Sequence, residues 1–202
     1  MLDGRLYYHL ENYVYSDVHD RFHNDGTLST FDFLSIINWA RPDGSFHVGG
    51  LLRRQAAEAD DSLAGIVEHV SAQLAGARSA RDRVAILVDQ ARLPIWAASA
   101  VLAVLWPMDF ARYDRRVCAV LGAFEDVERH AGFEAIWEGY GRYCAELKGQ
   151  MPEAPSLREA VSSLIGIHEA TSLSQQLAIG FLRSKKSGHA PRTSSSQSLS
   201  GP

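Results

Sequence analysis

Polar and apolar positions recur at helical spacing through most of this chain. Leu6, Tyr7, Leu10, Tyr13 and Val14 share one face of a helix over residues 5–15. The turn signal His23-Asn24-Asp25-Gly26 follows, and Ser29 with Asp32 forms an S-x-x-D capping pattern ahead of Phe33, Ile36, Ile37 and Ala40. Arg41-Pro42-Asp43-Gly44 should end that second helix. Gly49-Gly50 are expected to precede the next helical tract, interrupted and recapped at Asp60-Asp61-Ser62, with Leu63, Ile66, Val67, Val70 and Leu74 facing inward.

Ser79-Ala80-Arg81-Asp82 repeats the capping pattern before Val84, Leu87, Val88 and Ala91. Residues 93–108 are almost all apolar and rich in alanine, with Ser99 the polar interruption. This is the pattern of a buried helix. Pro94 and Pro107 bound a run too short to cross a bilayer, which needs about 20 apolar residues. The turn Met108-Asp109-Phe110-Ala111-Arg112-Tyr113 then leads to Asp114 at the head of a helix carrying Val117, Val120 and Leu121.

The clearest amphipathic helix bears Phe133, Ile136, Trp137, Tyr140, Tyr143, Cys144 and Leu147, and Gly149, Pro152 and Pro155 stop it. Ser156-Leu157-Arg158-Glu159 opens another, with Leu157, Val161, Leu164, Ile165 and His168 on one side and His168 expected as a satisfied core residue. Residues 173–182 are expected to dock as a last, separate helix. No run alternates as a strand does. The pattern predicts an all-α, compact domain of about eight helices over residues 1–183. Residues 184–202, rich in serine, have little to bury and are expected to be a disordered tail.

Charge changes this picture in one place. The net charge of −4 is unlike that of a strongly electrostatic nucleic-acid binder. Yet residues 78–116 hold seven arginines against four acids, a local +3 that leaves −7 on the rest. Cys118 and Cys144 both fall on apolar helix faces and are expected as reduced core thiols. The N-terminal residues show no secretory pattern, so a cytoplasmic protein with no membrane association is expected. His19 and His23, four apart beside Asp17, Asp20 and Asp25, share a helix face as metal ligands do. A polar helix end explains them equally well, and no metal or cofactor is expected.

Leu93-Pro94, the packed run Ala97-Ala98-Ser99-Ala100-Val101-Leu102 and the element Tyr113-Asp114-Arg115-Arg116-Val117 follow one another in the order of a known core. In that order residues 31–168 resemble the helix-hairpin-helix DNA glycosylase superfamily. Val84 to Ala91 are similar to its first hairpin helix, and Tyr113-Asp114-Arg115-Arg116-Val117 is similar to its V-D-x-x-V element. The aromatic run Trp137-Glu138-Gly139-Tyr140, paired with the capped helix at Ser156, resembles small bacterial members. The resemblance implies a glycosylase-like fold with a degenerate hairpin, a double-stranded DNA partner, and Asp114 as the group that stabilises positive charge on a sugar as a flipped base departs. It implies Arg92, Arg112, Arg115 and Arg116 as backbone-binding cations, with Trp96 placed to wedge or stack a base.

The departures are specific. Gln90-Ala91-Arg92-Leu93-Pro94-Ile95-Trp96 lacks the glycines that let a hairpin backbone approach a phosphate. No lysine precedes Lys148, so excision would be monofunctional with water as nucleophile. Two cysteines exclude a four-cysteine cluster. Two alternatives stay open: Asp114 as an ordinary N-cap, and the whole as a non-catalytic interaction domain with a protein partner.

Overall fold

The computed structural model describes residues 4–41 and 44–187, and among these the chain is all helical, forming nine continuous rods. α1 (Gly4–Tyr13), a π-helical segment (Val14–Val18) and α2 (His19–Asp25) run on as one rod, which Gly26 ends at φ +72°. α3 (Thr30–Ala40) begins as the sequence predicts. Ser29 Oγ accepts from the Asp32 amide at 3.0 Å and donates to the Asp32 carboxylate at 2.8 Å. That carboxylate is buried and also accepts from Tyr13 Oη at 2.5 Å and Arg21 at 2.7 Å, so the capping residue pins the first rod to α3.

α4 (Gly44–Glu58) corrects one expectation, because Gly49 and Gly50 lie inside it. Each glycine costs a helix about 1 kcal/mol, but Val48 and Leu52 are buried on either side and hold the helix through them. The break comes at Asp60, with φ +54°, and Ser62 caps α5 (Leu63–Gly76) by accepting from the Gly65 amide. Ser79 caps α6 (Ala80–Ala85), which continues as a π-helical segment (Ile86–Gln90).

α7 (Ile95–Leu105) is the axis of the domain, and every residue in it except Trp96 is buried. Ala97, Ala98, Ala100 and Ala103 have nothing beyond Cβ, so α3, α2 and α6 can pack against a thin rod. α8 (Arg115–Leu121) follows Asp114, and a 3₁₀ turn (Val127–Arg129) leads to α9 (Phe133–Gln150).

α10 (Leu157–Ser187) packs on α8 and α9 and runs unbroken through residues 173–182, so these are no separate helix. Gly166 does not stop it, since among the described residues no proline or left-handed residue follows to turn the chain. Residues 184–187 are helical, and the rest of the expected tail, 188–202, lies outside the described residues. His168 is not a core residue. Its side chain is 34% exposed at the surface of α10, with Nδ1 4.0 Å from Glu169. Cys118 is buried, Cys144 half-buried, and both are free thiols. Among the described residues no helix is long and apolar enough to cross a membrane.

Candidate functional site

The turn at residues 91–94 is built without glycine. The Ala91 amide donates to Ile86 O at 2.9 Å and the Leu93 amide to Leu87 O at 2.8 Å. Between them Arg92 takes the left-handed conformation at φ +51°, a position that costs an ordinary residue about 1 kcal/mol. Gln55 of α4 ties the turn down by donating to Ala91 O at 2.9 Å. Pro94, with φ −62°, then starts α7, and its carbonyl accepts from the Ala97 and Ala98 amides.

Asp114 is positioned from the other end of α7. Ser99, the polar residue in the apolar run, accepts from the Tyr113 amide at 2.9 Å. α9 holds the same stretch: Tyr140 donates to Ala111 O at 2.7 Å and Tyr143 to Arg112 O at 2.9 Å. Tyr113 donates to Phe124 O at 2.6 Å. The aspartate therefore leaves a backbone held on three sides.

Its carboxylate is full. Oδ1 accepts from the Arg116 amide at 2.9 Å and Arg116 Nε at 3.1 Å. Oδ2 accepts from Arg116 at 2.8 Å and Arg112 at 3.1 Å. A carboxylate has about four lone-pair positions, and each is taken by a donor of the protein. Burial opposes ionisation, but the Arg116 hydrogen bonds and the Arg112 and Arg116 charges outweigh it and hold the carboxyl below its usual range. Asp114 is an N-cap and the anion of a two-arginine clamp, with its side chain 10% exposed.

The exposed edge of the clamp faces an open cleft of about 290 Å³. Trp96 forms one wall, Ala40 and Tyr113 line it, and Arg115 paired to Glu128 closes the far side. The Arg41 guanidinium lies 5.3 Å from the Trp96 ring centroid. The cleft thus presents an indole, a carboxylate locked between guanidiniums, and three arginines against two acids.

Of the residues singled out from the sequence, Asp114, Trp96, Arg115 and Arg116 come together on this cleft. Arg112 stands behind it, buried and stacked 4.5 Å from the Trp39 ring centroid. Arg92 is separate, exposed beside a different groove with His69 and Gln90. Sequence reasoning missed Arg41 and Glu128. In the sequence Arg41 belongs only to the turn that ends a helix and Glu128 to no motif, so neither carries a local signal. His19 and His23 have ring centroids 4.5 Å apart, but His23 Nε2 is engaged with Leu105 O at 2.7 Å and His19 with Asp20. Among the described residues no group of three or more His, Cys, Asp or Glu side chains could hold a metal ion. No protein-family model, curated protein or solved structure matches the chain.

Proposed function

We propose that the chain is a helix-hairpin-helix glycosylase-like domain that binds double-stranded DNA and receives a displaced base against Trp96. The observation that carries this reading is the Trp96 cleft. An indole forming one wall of an open cleft, with Arg41 over its ring and the Arg92 turn just before it in the chain, offers a stacking surface beside cations. Arg41 and Arg92 are exposed and make no ion pair with any described residue, which leaves their charges available to phosphates.

In this reading Asp114 is the clamp that sets the floor of the cleft. A carboxylate whose acceptor positions are all occupied has none left with which to take a proton from water. The test is a salt series with a labelled duplex carrying an abasic or mismatched site. Affinity should fall with salt, and Arg41→Gln with Arg92→Gln should weaken binding and flatten the salt slope. Salt-independent or absent binding would leave the interaction-domain alternative standing.

Monofunctional base excision is the second reading. It is favoured by the one edge of Asp114 that faces the cleft as an anion, where it would stabilise positive charge on a sugar. Duplexes carrying varied damaged bases, incubated with the protein and then treated with alkali, test it. Cleavage lost in Asp114→Asn supports it, and cleavage undiminished in that variant removes Asp114 from the chemistry.

A further inference from the structure

On the far side of the clamp lies a second cavity of about 240 Å³, between the first rod, α3 and α10. Its walls are aromatic and cationic at once. Arg158 of α10 sits 3.7 Å from the Tyr15 ring centroid, and Arg112 sits over Trp39. The two rings meet edge to face, with centroids 5.1 Å apart. Arg116 completes a set of three guanidiniums lining the space.

Carboxylates pair with these cations, but only one of them lines the cavity. Glu11 is the single lining carboxylate and bonds Arg158 at 3.2 Å. Asp114 serves Arg112 and Arg116 from the other cleft, and Glu169 meets Arg116 at 3.2 Å. The lining itself carries three guanidiniums and one carboxylate, and the other two partner acids, Asp114 and Glu169, stand outside it. Trp39, only 4% exposed, has its indole N–H without a hydrogen-bond partner, an orphan donor of the kind that buried sites rarely keep. On the same face of α10 as Arg158, Val161 and Ile165 supply an apolar wall, and Ser162 an exposed hydroxyl.

We propose that this cavity binds a phosphate monoester, with the phosphate among Arg112, Arg116 and Arg158 and the organic part against Val161 and Ile165. Planar guanidiniums match phosphate oxygens, three of them line one cavity, and the unpaired Trp39 N–H adds a further donor on the same wall. The ester is either a free mononucleotide or the 5′-phosphate end of a nucleic-acid strand, since both carry the same group. The site is a separate cavity from the Trp96 cleft, and the two share Arg116 as a wall.

Isothermal titration of the full chain with adenosine 5′-monophosphate and with adenosine tests the proposal. The nucleotide should bind about tenfold or more tightly than the nucleoside, the effect of losing charge-assisted hydrogen bonds. Arg158→Gln should remove most of that difference. So should Ser162→Glu, an exposed substitution that adds a like charge at the rim without touching the core. Arg92→Gln, which should weaken duplex binding, should leave the titration unchanged, so the two readings fail separately. Short single strands with a 5′-phosphate or a 5′-hydroxyl identify the source. A preference for the phosphorylated strand supports a strand end, and equal binding of both strands alongside nucleotide binding supports a free nucleotide. Equal or absent binding of nucleotide and nucleoside overturns the proposal, as does a nucleotide preference that survives both Arg158→Gln and Ser162→Glu.

Discussion

Asp114→Asn isolates the charge of the clamp while keeping its shape. The asparagine Oδ1 can still accept from the Arg116 amide, so the cap survives. The second oxygen becomes an amide donor facing the guanidiniums of Arg112 and Arg116, which now repel one another across a neutral group. Removing one member of a buried ion pair costs about 3–5 kcal/mol. The site is not fully closed, because the Arg116 side chain is 39% exposed whereas that of Arg112 is only 7% exposed. With Arg116 partly hydrated, the expected loss is about 2–4 kcal/mol. Urea unfolding at pH 7 measures it, with an unchanged slope showing that the folded and unfolded states are otherwise alike.

The pH dependence supplies an independent check. The Asp114 carboxyl is lower in the folded chain than in the unfolded one, where it titrates near about 4. Its contribution is therefore complete above that value and disappears as pH falls through the lower, folded one. The difference between wild type and Asp114→Asn should be constant from neutral pH down to about 5 and shrink below about 4. A loss under about 1 kcal/mol at pH 7, or a loss that persists undiminished in acid, would refute the clamp.

Three further outcomes follow from the same geometry. Tyr143→Phe deletes a buried hydroxyl that satisfies Arg112 O at 2.9 Å, and should cost about 1–2 kcal/mol in urea unfolding without disturbing the fold. Burial pushes the Cys118 thiol up to about 11, so a thiol reagent at pH 8 should label it slowly in the native chain and readily after denaturation. Arg92→Gly relieves the left-handed strain at φ +51° and, after the added freedom of the unfolded chain, should stabilise by about 0.5 kcal/mol while weakening duplex binding. A destabilised Arg92→Gly would show that the side chain, rather than the backbone, holds the turn.

The helices were legible because their determinants are local. Ser29, Ser62, Ser79, Asp114 and Ser156 each accept from a backbone amide within three residues along the chain. The apolar run of α7 declared its own burial. Gly49-Gly50 and residues 173–182 misled for the complementary reason. A glycine pair weakens a helix locally, and only the neighbours of Val48 and Leu52 show that packing overrides it. His168 misled likewise, since helical spacing aligns it with Leu157, Val161 and Leu164, yet the elements packed on that stripe leave its side chain partly exposed.

The sequence by itself determined an all-α chain, a buried alanine-rich axis and an aspartate heading α8. The tertiary structure decided what that aspartate does. Arg112 and Arg116 lie two residues to either side of Asp114, yet the clamp forms because Ser99, Tyr140 and Tyr143 fix the backbone from distant elements. Arg41, Trp96 and Glu128 meet at one cleft from three separate stretches of chain. Periodicity and capping depend on neighbours in sequence, whereas the hydrogen bonds of a carboxylate and the lining of a cavity depend on neighbours in space.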